Sequence, residues 1–169
     1  QRLLAQSLIR QRKYNEAAEL LQPLIDTGIA DEQSLADRYL LALAWRGLDR
    51  FDDALRMITA VLASAEGDLR ADALPTHRSL LVDLRRYADA VGPLDAFMAT
   101  KPTGGVALQG AGELARCYVL SGSLEKAKQT YDDLYRTFSG HEDMALVTEQ
   151  LAEAAYAAKE RQWAAELFE

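Results

Sequence analysis

The chain is poor in the residues that build metal sites, redox centres and catalytic dyads. Its 169 residues include one cysteine, Cys117, and two histidines, His77 and His141. A single cysteine excludes an internal disulfide and makes a thiolate metal site improbable. Neither histidine has a ligand partner four residues away or a cysteine nearby, so no zinc motif is present. With only four prolines and no long Gly/Ser tract, no flexible linker divides the chain. No apolar run approaches the roughly 18 residues a membrane span needs, which argues against direct membrane insertion. The net charge of −7 argues against holding a nucleic-acid backbone, which is gripped by Lys and Arg.

Alanine and leucine dominate a composition that is 49% hydrophobic, and β-branched residues are few, which favours helix over strand. The organising stretch is Gly112–Tyr135. Leu114, Ala115 and Tyr118 line one face of a predicted helix, and Ala127, Tyr131 and Leu134 line a face of the next. Gly122 and Ser123 make the turn, with Ser123 placed to cap the second helix. Taking Ala127 as origin, the same offsets recur about Ala17, Ala54, Ala90 and Ala164. These anchors are spaced by 37, 36, 37 and 37 residues. Leu-Ala pairs stand at the first-helix position in four repeats, Leu4-Ala5, Leu41-Ala42, Leu114-Ala115 and Leu151-Ala152, with His77-Arg78 in the third.

The pattern L114-A115-x2-Y118 followed by A127-x3-Y131, repeated as L41-A42-x2-W45 followed by A54-x3-I58, resembles the tetratricopeptide repeat family. That family's unit is a helix–turn–helix of about 34 residues, with small residues where helices touch. Here the period is two or three residues longer, and the proline common after the family's second helix is missing from most repeats, with Pro102 the nearest match. The resemblance implies an all-α, right-handed superhelical solenoid of about ten helices in antiparallel pairs. Residues 1–169 then form a single array with repeats at about 1–30, 31–67, 68–104, 105–140 and 141–169. Starting at Gln1 and stopping at Glu169 without polar capping helices, the chain reads as a fragment of a longer array.

Local signals refine the boundaries. Pro23 should kink the second helix of repeat one, and Gly28 would stop it. Ser34 is placed to cap the next helix. Pro75 marks the start of a helix or a bend, residues 69–74 a separate turn, and Gly92-Pro93 an interruption. Lys101–Gly105 is the strongest break and reads as a loop. In repeat five, Trp163 could take the aromatic position and shift the register by two.

The residues that could carry chemistry have structural explanations. Gly110–Ala115 matches a loose dinucleotide pattern, but no βαβ unit surrounds it, and Ala115 is already explained as a helix contact. Cys117 and Trp45 read as core residues, and His77 as a partly buried, hydrogen-bonded side chain. The acidic pairs Asp132-Asp133 and Glu142-Asp143 read as solvated faces or helix starts. No nucleophile–base set is visible, so neither an enzyme nor a cofactor is expected.

What remains is surface. The resemblance implies that first helices line a concave face that holds a peptide or a partner helix. Its candidate residues are Arg2, Gln6 and Ile9; Tyr39, Leu43 and Arg46; Thr76, Ser79 and Val82; Glu113, Arg116 and Val119; and Glu149, Glu153 and Tyr156. Tyr39, Arg46, Arg116 and Tyr156 are the favoured anchors. Some family members grip a terminal carboxylate with lysines and asparagines. Here those positions hold Arg2, Gln6, Leu40, Asp72 and Thr76, so that mode is not expected. A non-catalytic scaffold for protein or peptide partners is therefore expected. The alternatives are self-assembly through open repeat ends, or a helper domain of a larger enzyme or regulator. The lone cysteine favours a cytoplasmic setting, and a periplasmic or membrane-tethered parent fits almost as well.

Overall fold

Small side chains fix where the helices meet. All five anchors are buried: Ala17, Ala54, Ala90 and Ala127 are fully inaccessible, and Ala164 is 2% exposed. The computed structural model describes residues 1–25 and 32–168, and these form helices without strands. The helices are α1 (Arg2–Arg10), α2 (Tyr14–Ile25), α3 (Glu32–Gly47), α4 (Phe51–Ser64), α5 (Gly67–Asp83), α6 (Tyr87–Ala99), α7 (Gly104–Leu120), α8 (Leu124–Phe138), α9 (Met144–Ala157) and α10 (Arg161–Phe168).

Their contacts group into two halves, Gln1–Arg85 and Arg86–Glu169. In the first, each helix packs on the next, and the first helices of the repeats, α1, α3 and α5, lie side by side. Its core joins Ala5, Leu21, Ile25, Leu40 and Leu41, with Trp45 and Tyr39 against them. In the second half, α7 is the hub, packing on α6, α8 and α9, while α10 packs on α9. Leu108, Ala111, Leu134, Met144 and Val147 form its core.

The turn inside each repeat has one backbone geometry. Arg12, Asp49, Arg85, Gly122 and Lys159 all have positive φ, between 56° and 85°, and each stands five residues before its anchor. In four of the turns the next N–H reaches back five residues to a helix carbonyl, as in Lys13 to Leu8 (2.9 Å) and Ser123 to Tyr118 (2.7 Å). This is the hydrogen-bond pattern that closes a helix on a left-handed residue. Only the fourth turn uses the glycine that the conformation favours.

Several local expectations are corrected. Ser123 stands at the N-terminal cap of α8, but its side chain makes no capping hydrogen bond. In repeats one to three a basic residue at that position instead faces an acid three residues on: Lys13–Glu16 (3.7 Å), Arg50–Asp53 (2.6 Å) and Arg86–Asp89 (2.7 Å). The acids also suit the positive end of the helix dipole. Ser34 is buried within α3, two residues past Glu32, and so cannot cap it. Pro75 and Pro93 lie inside α5 and α6, which run on through them, and residues 69–74 belong to α5. The carbonyls these prolines leave without a donor belong to Ala71 and Asp89. Both residues are exposed, so water can serve them. Pro23 likewise lies inside α2. Gly104 and Gly105 open α7, so the break shrinks to the residues around Lys101 and Pro102. Leu4 and Phe168, expected in the seam, are 55% and 62% exposed. Trp163 is buried beside Ala164, and Lys159 holds the turn position, so repeat five keeps the unshifted register. Gly28 lies outside the described residues.

Candidate interaction surface

In the first half, repeat spacing stacks the candidate side chains along α1, α3 and α5, and three of them bond to the next first helix. Arg2 Nε donates to Asp37 Oδ1 at 2.7 Å, and its Nη2 donates to the Gln33 carbonyl at 2.8 Å. Tyr39 Oη donates to the Asp72 carbonyl at 3.4 Å. Arg46 donates to Ser79 Oγ at 2.5 Å and to Asp83 Oδ2 at 3.1 Å. These four candidates form rungs between successive helices. Asp37 is itself buried, and a guanidinium beside a buried carboxylate compensates its lost hydration. Gln6 and Leu43 are half-buried, and Thr76 is buried. Ile9, Leu43 and Arg46 meet Tyr14 and Gly47 around a cleft of about 290 Å³.

The second half has the corresponding cleft between α7 and α9. Glu113 and Arg116 share about 170 Å³ there with Gln109, Gly112, Val147 and Gln150. Gly112 makes the approach possible: a Cβ at that position would fall 2.5 Å from Val147 Cγ1. Gly110 does the same against α6, where a Cβ would fall 2.6 Å from Phe97 Cε1. The loose dinucleotide pattern is thus a pair of helix contacts inside α7. Arg116 differs from Arg46 in one respect: its Nε is buried with no hydrogen-bond partner among the described residues. Glu149, Glu153 and Tyr156 are exposed along α9, Tyr156 by 65%.

The reactive groups are held in unreactive settings. Burial, and then the charge of Glu113, pushes the Cys117 thiol up to about 12. Burial also raises Tyr118, whose hydroxyl donates to both carboxylate oxygens of Asp95 at 3.1 and 3.2 Å. His141 Nδ1 accepts the Asp143 N–H at 3.2 Å, with the ring edge-on to Phe138. His77 is half-buried. No three His, Cys, Asp or Glu side chains cluster as a metal site among the described residues. No described helix is long and apolar enough to cross a membrane.

One feature has no counterpart in the sequence reading. A groove of about 890 Å³ lies among α8, α9 and α10, with Tyr131, Tyr135 and Phe168 in its wall. Of the tyrosines, Tyr131 could be read as a seam residue. That their helix stands off from α9 could not, because helix separation leaves no trace in periodicity.

No family model matches the chain, and no curated protein matches it in sequence. Solved structures do match. The nearly identical TPR-like repeats described as those of a Podosopora anserina kinesin light chain superpose with a TM-score of 0.74 at 21% identity, over 99% of this chain and 89% of that one. MamA from Desulfovibrio magneticus RS-1 gives 0.73 at 19%, covering 99% and 88%. YrrB, described as a TPR protein with an unusual peptide-binding site, gives 0.69 at 15%, covering 96% and 78%. At these identities the likeness is one of fold.

Proposed function

We propose that this chain, an all-helical array of antiparallel pairs with the tetratricopeptide-like fold, is a non-catalytic scaffold that binds an extended segment of a partner protein along the first helices of its second half, α7 and α9. The observation that carries the proposal is Arg116. Its Nε is buried without a hydrogen-bond partner among the described residues, and the residue lines a cleft beside Gln109, Glu113 and Gln150. A guanidinium carries several N–H donors, so a partner's carbonyl or carboxylate entering this cleft has a cationic donor group to meet. Glutamine amides donate and accept, so they suit the alternating N–H and C=O groups of a peptide. Glu149, Glu153 and Tyr156 extend the same reading along α9. In the first half, Leu43 and Gln6 are the accessible contacts, while Arg2, Tyr39, Arg46 and Ser79 hold the helices that present them. The description of YrrB as peptide-binding supports the reading by analogy of fold.

Selection from a displayed peptide library, using the whole chain as bait, tests this. Selected peptides should bind Arg116→Ala and Tyr156→Ala variants about tenfold or more weakly, the loss typical of an interface anchor. Unchanged affinity in both variants would remove the α7–α9 cleft from the proposal. A second reading, self-association, is favoured by Leu3 and Leu4, which are 80% and 55% exposed on α1. Sedimentation equilibrium decides it, since a monomer at every concentration excludes that mode.

A further inference from the structure

The groove among α8, α9 and α10 has a local cause. Within the array, α2 packs on α3, α4 on α5, and α6 on α7. The equivalent pair, α8 and α9, lies farther apart, although Leu134 still joins Met144 and Val147 in one core. Because Gly112 has no Cβ, α9 settles onto α7 instead, and Met144 and Val147 join the core there. The gap that opens toward α8 is bridged by a hydrogen bond between Tyr131 Oη and Thr148 Oγ1 at 3.3 Å.

The groove's surface has two parts. Tyr131, Tyr135, Met144, Leu167 and Phe168 supply apolar area. Tyr135 is 53% exposed and Phe168 62%, although both are large hydrophobic side chains. Around them stand the carboxylates of Asp132, Glu142, Glu149 and Glu166. Against these four, the groove has one guanidinium, Arg136, which already pairs with Asp133 at 3.2 Å. The field over the apolar floor is therefore negative, and it selects for positive charge.

We propose that this groove is a second binding site, which takes a peptide segment of another protein carrying a large apolar anchor flanked by lysine or arginine. The anchor fills the floor between Tyr131 and Phe168, and the flanking cations meet Glu142 and Glu166. The site is independent of the α7–α9 cleft and does not rest on a ligand bound there.

The test uses the whole chain and a labelled synthetic peptide with a leucine–phenylalanine core flanked by lysines. A second peptide has glutamates in place of the lysines. Fluorescence polarisation reads binding. In a Trp45→Phe background, Trp163, edge-on to the wall residue Tyr131 with ring centroids 6.4 Å apart, gives an intrinsic signal. The lysine peptide should bind saturably, about tenfold or more tightly than the glutamate peptide, and more weakly as salt rises. A Tyr135→Ser/Phe168→Ser variant and a Glu142→Lys/Glu166→Lys variant should each lose about tenfold. All four positions are exposed, so circular dichroism should show both variants folded. Arg116→Ala and Tyr156→Ala should leave this binding unchanged, which separates it from the first-helix site. Equal binding of the two peptides, or full binding by both groove variants, overturns the proposal. So does self-association that the Tyr135→Ser/Phe168→Ser variant abolishes, because the occupant is then a second copy.

Discussion

Arg12, Asp49, Arg85 and Lys159 occupy a left-handed backbone conformation that costs a non-glycine residue about 1–2 kcal/mol. Replacing Arg12 or Lys159 with glycine should therefore stabilise the chain. Part of the gain is lost to the freer unfolded chain, leaving about 0.5–1 kcal/mol in urea unfolding. Gly122→Ala, at φ 85°, should cost about 1 kcal/mol in the same measurement. Cys117 and Tyr118 make a pH prediction. Both release their protons later in the folded protein than in the unfolded chain, so the folded state binds more protons at high pH. For Cys117 the stability this contributes is complete below the ordinary thiol value, near 9, and is lost as pH rises toward about 12; for Tyr118 it is complete below the ordinary phenol value, near 10, and is lost at higher pH. Cys117→Ala and Tyr118→Phe should each flatten the alkaline decline in melting temperature. The native thiol should also resist a soluble disulfide reagent until the chain unfolds.

At the scale of elements, glycine and proline do different work from what local rules suggest. Gly112 is a spacer between α7 and α9. Val147, branched at Cβ and buried, cannot swing clear of an added methyl. Gly112→Ala should cost about 1–3 kcal/mol and shift α9, which the Trp163 emission maximum will report in a Trp45→Phe background. Pro93 breaks no helix, yet it forfeits a hydrogen bond in α6. Pro93→Ala should add stability of about 1–3 kcal/mol, read from the urea midpoint. Helix existence, pairing and register were legible because the alanine anchors repeat in the chain. The candidate face was legible only in part. A period of 3.6 residues says which side chains of one helix align, but not how far that stripe is rotated toward the next helix. Arg2, Tyr39 and Arg46 were thus selected as surface, and they bond to α3 and α5. The α8–α9 groove was not legible, because it depends on which of two neighbours α9 approaches.

At the scale of the molecule, the two halves have separate cores, so damage should stay local. Leu41→Ala and Leu151→Ala each empty a fully buried site and should cost about 2–5 kcal/mol. Amide hydrogen exchange should place the lost protection within residues 1–85 for the first and 86–169 for the second. Faster exchange spread evenly over both halves would show one cooperative body instead.

The five inner turns carry a last implication, for how such a chain drifts over generations. Their residues are arginine, aspartate, arginine, glycine and lysine, which run from cation to anion to no side chain at all, yet all adopt the same torsion. What is inherited at this position is an angle rather than a letter. Mutation can therefore rewrite the turn freely, at a small thermodynamic charge each time, while the helices on either side still meet at their alanines. Descendants of one ancestral repeat would keep a common shape long after comparison of their letters had stopped revealing kinship.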